Sequence, residues 1–373
     1  MTARTGRFAL LVLSICLPVP LGLVSAQTLA DRSEVVAGAE VRVISLERLQ
    51  SARRLRQFST PLGFVLALGR LRLDLGSAFA STELTRVDST SHTVNHLTDT
   101  QVRGAYVFGQ DALVATLALN LPTGPRRASP RDYAVLGAIS PNFLAFPIAS
   151  YASGFSVTGG IAGAIPAGSW SFGLAGSLRA SSRFEPYEDA FGPLVYQPGI
   201  EGRIRAGADG LLGAARLSAG ITYSTFGDDQ FGTSGTLRGQ YQPGARWLAE
   251  AALLAPVGSS ALNLSLWSFR RMAGDTTGAS SRNKENLTVG ELSLTIPITT
   301  ALKLEPSISG RVSKPQAGKA KMVGLGGAIQ LRLAEQLTLL PTIRYDTGWV
   351  EDGLGARTHF HGGYGSAFLR IGF

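Results

Sequence analysis

Ser366-Ala367-Phe368-Leu369-Arg370-Ile371-Gly372-Phe373, the closing run of the chain, decides the fold class. Successive side chains of an extended strand point to opposite sides. Ala367, Leu369, Ile371 and Phe373 therefore share one face, and Ser366, Phe368, Arg370 and Gly372 share the other. The first face is dry and the second, with a charge at its centre, needs water. The same two-faced writing recurs upstream. Leu71, Leu73 and Leu75 alternate with Arg72, Asp74 and Gly76, and Ala215, Leu217, Ala219, Ile221 and Tyr223 alternate with Arg216, Ser218, Gly220 and Thr222. Period two also governs 113–121, 262–266, 292–298, 302–308 and 329–333, and no helical pattern interrupts it.

Composition agrees with a chain that hides apolar residues by alternation. Of 373 residues only 16% are charged and 45 are glycine. Beyond the amino terminus no run approaches the roughly 18 apolar residues of a membrane helix. Disorder is excluded, because it requires low hydrophobicity with high net charge. The 35 basic residues against 26 acidic ones give +9. No Lys-rich tract or basic-aromatic motif accompanies that charge, so nucleic acid is not an expected partner.

Arg4 and Arg7 precede the apolar stretch Phe8 to Val24, and Val24-Ser25-Ala26 closes it with small residues. This reads as a secretory signal peptide over residues 1–26, cut before Gln27. Cys16, the one cysteine, lies inside it, so the mature chain has no disulfide, no thiol nucleophile and no cysteine-bound metal. Residues 27–68 differ in texture. Between Glu47 and Phe58, Leu49 and Arg53, or Ala52, Leu55 and Phe58, fall at helical spacings before Pro61. They predict a short basic amphipathic helix in a periplasmic N-terminal segment or in a plug tucked into the barrel; attachment to the membrane surface is the third reading.

From residue 69 to 373 the sequence predicts an all-β, transmembrane, antiparallel up-and-down β-barrel. Short turns are read at 109–111, 166–168, 208–210, 256–258, 297–300 and 334–336. Long polar connections are read near 83–97, 123–151, 183–198, 227–245, 272–285, 314–319 and 348–361. Short turns on the periplasmic rim and long loops on the extracellular rim are the outer-membrane pattern. Seven long loops joining seven hairpins predict about 14 strands. The range is 12–16, because 41–46 and 62–68 are strand candidates too. Phe108, Trp170, Phe172, Tyr223, Phe226, Trp247, Tyr345, Trp349 and Phe373 fall mostly near strand ends, where aromatic girdles sit.

If the aliphatic face meets lipid, parity assigns Arg72, Arg103, Arg179, Arg203, Arg205, Arg216, Lys303, Arg311, Arg332, Arg344 and Arg370 to the lumen, with Asp74, Glu201, Asp209, Glu305 and Asp346. Arg on the lipid face at the midplane would cost about 2–4 kcal/mol. Pairs such as Arg72 with Asp74, Arg203 with Glu201 and Lys303 with Glu305 suit ion-pair ladders in a filled interior. The surplus of bases suits a pore that concentrates anions. Both readings stand at this point.

The terminal run resembles the C-terminal signature of bacterial outer-membrane β-barrels. That resemblance implies that Leu369, Ile371 and Phe373 form an assembly signal read by barrel-assembly machinery. Asp99-Thr100-Gln101-Val102-Arg103-Gly104-Ala105-Tyr106, followed by Leu117-Ala118-Leu119-Asn120-Leu121-Pro122-Thr123-Gly124, is similar to a hairpin of the meta-pathway phenol-degradation-type barrel family, distantly related to long-chain fatty-acid outer-membrane transporters. This second resemblance implies a monomeric channel for small hydrophobic or aromatic solutes, with an N-terminal segment near the lumen. The basic interior points instead to anionic solutes. The expected surroundings are outer-membrane lipid and lipopolysaccharide.

Catalytic chemistry is not expected, and no cofactor is. His359-Phe360-His361 sets two imidazoles on one side of an extended segment, but two ligands do not define a metal site, and His92 and His96 read likewise as residues of polar loops. No G-x-S-x-G elbow occurs, and Gly324-Leu325-Gly326-Gly327 lacks the rest of a dinucleotide fingerprint; in a strand such glycines make room for a neighbour. A channel is the leading expectation. The alternatives are a closed barrel that is structural or acts through its surface loops, and an outer-membrane hydrolase.

Overall fold

The structure is a computed structural model, and it describes residues 33–47, 52–109, 113–190, 192–233, 236–276, 279–281, 284–315 and 318–373. The expected signal peptide lies outside the described residues. Sixteen strands form the barrel: β1 (Glu34–Leu46), β2 (Ala52–Leu68), β3 (Leu71–Arg86), β4 (Thr100–Phe108), β5 (Leu113–Leu121), β6 (Ser156–Ala167), β7 (Trp170–Ser181), β8 (Glu201–Leu212), β9 (Ala215–Phe226), β10 (Arg246–Val257), β11 (Ser260–Arg271), β12 (Glu285–Pro297), β13 (Leu302–Pro315), β14 (Lys319–Ala334), β15 (Leu337–Glu351) and β16 (Arg357–Gly372). Each pairs antiparallel with its neighbour in sequence, and β1 pairs with β16 from Glu34 opposite Gly372 to Leu46 opposite Phe360. The sheet thereby has no free edge, and every strand finds its backbone partners within the protein, as a chain in lipid requires.

The count of about 14 is corrected to sixteen. Fourteen strands follow residue 70, and the segment read as a periplasmic lead-in or plug supplies β1 and β2. The helical spacing at 47–58 misled because bases two apart fit a strand as well. In β2 Leu55, Gln57 and Ser59 are buried, whereas Arg54, Arg56 and Phe58 are exposed. Residues 48–51 lie outside the described residues. The turn read at 208–210 falls inside β8, where Asp209 is ion-paired to Arg216 on β9. The chain reverses after Leu212 instead, at Gly213, whose φ of +63° is the left-handed conformation that favours glycine.

The outward side chains form an apolar band. Ile165, Leu178, Ile204, Leu325 and Ile343 are 60–73% exposed and stand on strand faces opposite the charged ones. A closed barrel with an apolar exterior, short turns on the rim that holds the carboxyl terminus and longer loops on the other is a transmembrane β-barrel of the bacterial outer membrane.

Two loop structures complete the molecule. Hairpin segments 184–189 and 192–197, 229–233 and 236–242, and 274–276 and 279–281, from three consecutive extracellular loops, join in one six-stranded sheet beyond the rim. The loop over 122–155 carries helix α1 (Pro130–Ile139) and a short 3-10 turn, Asn142–Leu144. Ser129 caps α1: its hydroxyl accepts from the Asp132 N–H, while the Asp132 carboxylate accepts from the Ser129 N–H. This pairing satisfies two otherwise orphan donors of the first turn.

Candidate functional site

The barrel interior is the candidate site, and the 122–155 loop divides it into two unlike walls. Asp99, just before β4, closes the loop at its neck. It accepts from the Gly124 N–H at 3.1 Å, the Ser153 N–H at 2.7 Å and the Asn120 side-chain amide at 2.9 Å. Both limbs of the loop thus hang on one carboxylate. A Cβ at Gly124 would stand 2.4 Å from the Tyr151 carbonyl oxygen, so the crossing requires glycine.

The return limb runs along the inner wall strand by strand. Arg311 of β13 donates to the Asn142 carbonyl at 3.3 Å, the Phe143 ring meets Phe360 of β16 edge-on at 5.9 Å, and Arg42 of β1 donates to the Leu144 carbonyl at 3.0 Å. Gln57 of β2 then makes two bonds to Ile148, donating to its carbonyl and accepting from its N–H, each at 2.8 Å. The Tyr151 hydroxyl lies 2.6 Å from that of Thr82 on β3. Burial pushes this phenol up to about 12, against the opposing effect of the Thr82 hydrogen bond. Val135, Ile139, Phe143, Leu144, Phe146 and Ile148 pack on Ile44, Leu55, Ala80, Leu287, Val289, Met322 and Phe360 in one apolar core. Segment 142–151 is therefore a pinned plug, drawn from an extracellular loop rather than from the amino terminus.

Beneath that core lies a buried ion pair between Arg42 and Asp346, whose side chains are 0% and 1% exposed. Arg344 also reaches Asp346, at 3.1 Å, and lies over the Tyr364 ring. A Cβ at Gly324 would fall 2.2 Å from an Asp346 carboxylate oxygen, so this glycine makes room for the acid. Glu40 accepts from Tyr364 at 2.7 Å and Ser59 at 3.0 Å.

The opposite wall, β4 to β11, carries ion pairs whose arginines remain partly exposed, although Glu201 itself is buried. Arg203 meets Glu201 at 2.6 Å and Arg179 meets the same acid at 3.9 Å, with the two arginines 29% and 33% exposed. Arg205 pairs with Glu250, Arg216 with Asp209 at 2.8 Å, and Arg271 with Glu285 at 3.2 Å. Where this wall meets β3, Arg72 of β3 and Arg103 of β4 flank Asp74 of β3 at 2.8 and 3.9 Å. Lys303 and Glu305 share a strand face on β13, but Glu305 accepts from Ser293 and no ion pair joins the two among the described residues. Towards the periplasmic mouth Arg332 donates to the Thr300 carbonyl and Arg370 approaches Glu34 at 3.5 Å.

Parity reading from residue 69 onward passed over several charges on these same faces. Cross-strand register adds Arg42, Arg246 and Arg271 among bases, and Glu34, Glu40, Glu250, Glu285 and Glu291 among acids. The acids gain two more than the bases, so the basic surplus narrows. Phe226, placed with the girdle aromatics, shares the face of Glu201 and lies under the Arg246 guanidinium at 4.5 Å.

The histidines stand elsewhere. His359 and His361 are exposed on the outer face of β16, not in a loop, with the buried Phe360 between them. His92, on the short strand Ser91–Leu97 beyond β3, contacts Asp132 of α1 at 2.8 Å. Among the described residues no group of three or more His, Cys, Asp or Glu side chains could hold a metal ion.

No family model matches the chain, and no curated protein does. The resemblance to the phenol-degradation-type family thus has no family-level support. Solved structures are similar in outline. A TodX monoaromatic hydrocarbon channel mutant is 13% identical, over 92% of this chain and 91% of that one, with a TM-score of 0.47. An anion-selective porin from Comamonas acidovorans is 11% identical, over 91% and 98%, at 0.41. A bacterial polysaccharide outer membrane secretin is 10% identical, over 93% and 100%, at 0.47. At such identities and scores nothing about solute or partner passes from these proteins to this chain.

Proposed function

We propose that the protein is a passive outer-membrane channel in which small solutes, anions preferred, move along the β4–β11 wall past the pinned loop. The observation that carries this reading is the contrast between two sets of interior ion pairs. Arg42 and Asp346 are sealed at 0% and 1% exposure, whereas Arg179 and Arg203 keep 33% and 29%. Water therefore reaches the second set inside a barrel whose other side is filled. Rows of half-exposed arginine favour anions by concentrating them near the wall. Hydrophobic or aromatic solutes are the weaker assignment, because the apolar side chains they would follow, Phe143 and Phe146 among them, are packed against the wall.

An inward position is proposed for Arg72, Asp74, Arg103, Arg179, Glu201, Arg203, Arg205, Arg216, Lys303, Glu305, Arg311, Arg332, Arg344, Asp346 and Arg370, with Asp346 sealed beneath the loop and the water-reached members lining the lumen. The exposed ends Ile371 and Phe373, with Leu369, are proposed as the signal for the assembly machinery, and the barrel as a monomer. The test is planar-bilayer recording of the refolded chain in a salt gradient. The expected result is a stable conductance with an anion-selective reversal potential. A folded barrel with no conductance, and no solute uptake in liposomes, would sink the channel and select a closed barrel acting through its external six-stranded sheet.

A further inference from the structure

The outer surface of the barrel carries a basic rim that is concentrated on one side. In β2 the outward column runs Leu68, Leu66, Phe64, Leu62, Thr60 and Phe58 and then changes to Arg56 and Arg54. In β14 it runs Leu331, Ile329, Gly327, Leu325 and Val323 and then changes to Lys321 and Lys319. Lys314 ends the same face of β13, and Arg357 begins that of β16. Ten residues at about 3.3 Å each, tilted by about 40°, rise about 25 Å, the height of the lipid-facing band. The switch in every column therefore falls where the hydrocarbon of the outer leaflet ends and its headgroups begin.

Aromatic placement agrees with that level. Trp349 lies between two of the bases, with the Arg357 guanidinium 4.5 Å and the Lys321 ammonium 5.9 Å from its ring. Indole at the headgroup level is the usual interfacial anchor. Arg357 is partly offset by Glu351 at 2.8 Å, and Glu83 stands opposite Arg56. Among the described residues no carboxylate lies within ion-pair distance of Lys314, Lys319, Lys321, Arg54 or Arg56. All are exposed. Near the upper ends of β4 to β10 the outward residues Thr100, Leu121, Val157, Ala180, Gly202, Thr225 and Trp247 carry no charge, and the one outward base beside them is Arg270 of β11, opposite Trp247.

We propose that Arg54, Arg56, Lys314, Lys319, Lys321 and Arg357 form a docking surface for the phosphate groups of a phosphorylated glycolipid in the outer leaflet. Charge complementarity and depth select this occupant. A basic cluster directly above an apolar wall, in which Arg357 alone has a carboxylate within ion-pair distance among the described residues, accepts a ligand that has acyl chains below and phosphates above. Each base at such a surface adds to the attraction for anionic headgroups. The surface does not depend on whether the lumen conducts.

The test uses the full mature chain, folded in detergent and checked for barrel content by far-UV circular dichroism. Diphosphorylated lipid A is titrated by native mass spectrometry into the wild type, R54Q/R56Q, K319Q/K321Q, the combined fourfold variant, and a control, R126Q/R131Q, which removes two exposed bases from the 122–155 loop. Each double variant at the rim is expected to lower affinity several-fold and the fourfold variant more than tenfold, while the control changes it less than twofold and wild-type conductance persists in all. Unchanged affinity in the fourfold variant would overturn the proposal. So would equal binding of a zwitterionic phospholipid, or displacement by free pyrophosphate at the lipid's own concentration, which would mark a simple anion site.

Discussion

The two sides of the barrel are built from one strand pattern and end with opposite interiors. β12 to β16 and β1 to β3 run 13–17 residues, while β4 to β11 run 9–12. The longer strands carry apolar side chains in the upper half of their inward column, among them Ile44, Leu55, Leu84, Leu287, Met322 and Phe360, and the 122–155 loop lands on those. Most of the shorter strands offer Arg, Glu and Ser at the corresponding places, and β11, whose Trp267 and Phe269 pack against the core, is the border between the two sides. An inward face is therefore not a polar face as such. It takes the character of whatever covers it.

The largest effect should come from breaking the sealed pair. Asp346→Ala leaves Arg42 buried without its counter-ion, a loss of about 3–5 kcal/mol. Unfolding by urea in micelles should shift accordingly, and the conductance of the surviving barrels should rise as the loop loses its footing. A stability loss under about 1 kcal/mol would show that water reaches this pair as it does the other wall. Phe143→Ala comes next. It removes a ring that is 4% exposed and edge-on to Phe360, at a cost of about 3–5 kcal/mol if the cavity stays open. Because the pinning hydrogen bonds at Asn142, Leu144 and Ile148 are to backbone atoms, they remain available in this variant. It should therefore destabilise the barrel with a smaller rise in conductance than Asp346→Ala.

The wet wall should respond the other way round. Arg179→Gln with Arg203→Gln removes two partners, each about a third exposed, of Glu201, whose own side chain is 10% exposed, so the loss should exceed that of a surface pair, about 0–1 kcal/mol, and stay below that of the sealed pair. Stability should fall less than in Asp346→Ala, while the reversal potential in a salt gradient should shift towards cation preference. If the double variant left selectivity unchanged and cost several kcal/mol, this wall would be a structural ladder and not a path.

Alternation made the fold class legible from the final eight residues outward, because a strand's period of two exposes any misplaced charge. It failed at 47–58, where the run Arg53-Arg54-Leu55-Arg56 satisfies a helix and a strand alike. There the decision belongs to β16 and β3, which flank the first hairpin from opposite ends of the described chain. Asp346 was legible as inward, but its burial was not, since it depends on Arg42, 304 residues away. The plug was invisible for a similar reason. The sequence of 122–155 has the polar, proline-bearing look of a surface loop, and its apolar residues Val135, Ile139, Phe143, Leu144 and Phe146 declare a destination only once a complementary apolar wall exists. Asp99 and Asn120 did carry a signal. They lie within the two segments that resemble the phenol-degradation-type hairpin, and they hold the loop's neck whatever family the chain belongs to.

The smallest effect separates the loop's outer limb from its pinned one. Burial pulls the Asp132 carboxyl upward, but hydrogen bonds from His92 and from the Ser129 backbone and hydroxyl outweigh it, so its pKa lies below the ordinary aspartate value. A depressed folded pKa stabilises above the unfolded value, about 3.9, and that contribution disappears as pH falls through the folded pKa. The docking of α1 should accordingly loosen below about pH 4. Amide exchange at Val135 and Ile139 reads this directly, with Ile148 as the internal reference on the pinned limb. Asp132→Asn keeps a side-chain acceptor for the cap but loses the charge facing His92, so it should remove most of the acid step and cost about 0.5–1 kcal/mol of local stability. Exchange at Ile148 should stay unchanged, because Gln57 holds that residue through two uncharged hydrogen bonds. An acid step of equal size at Ile148 would mean that both limbs move as one body, and that Asp99 at the neck, not the wall, determines the position of the plug.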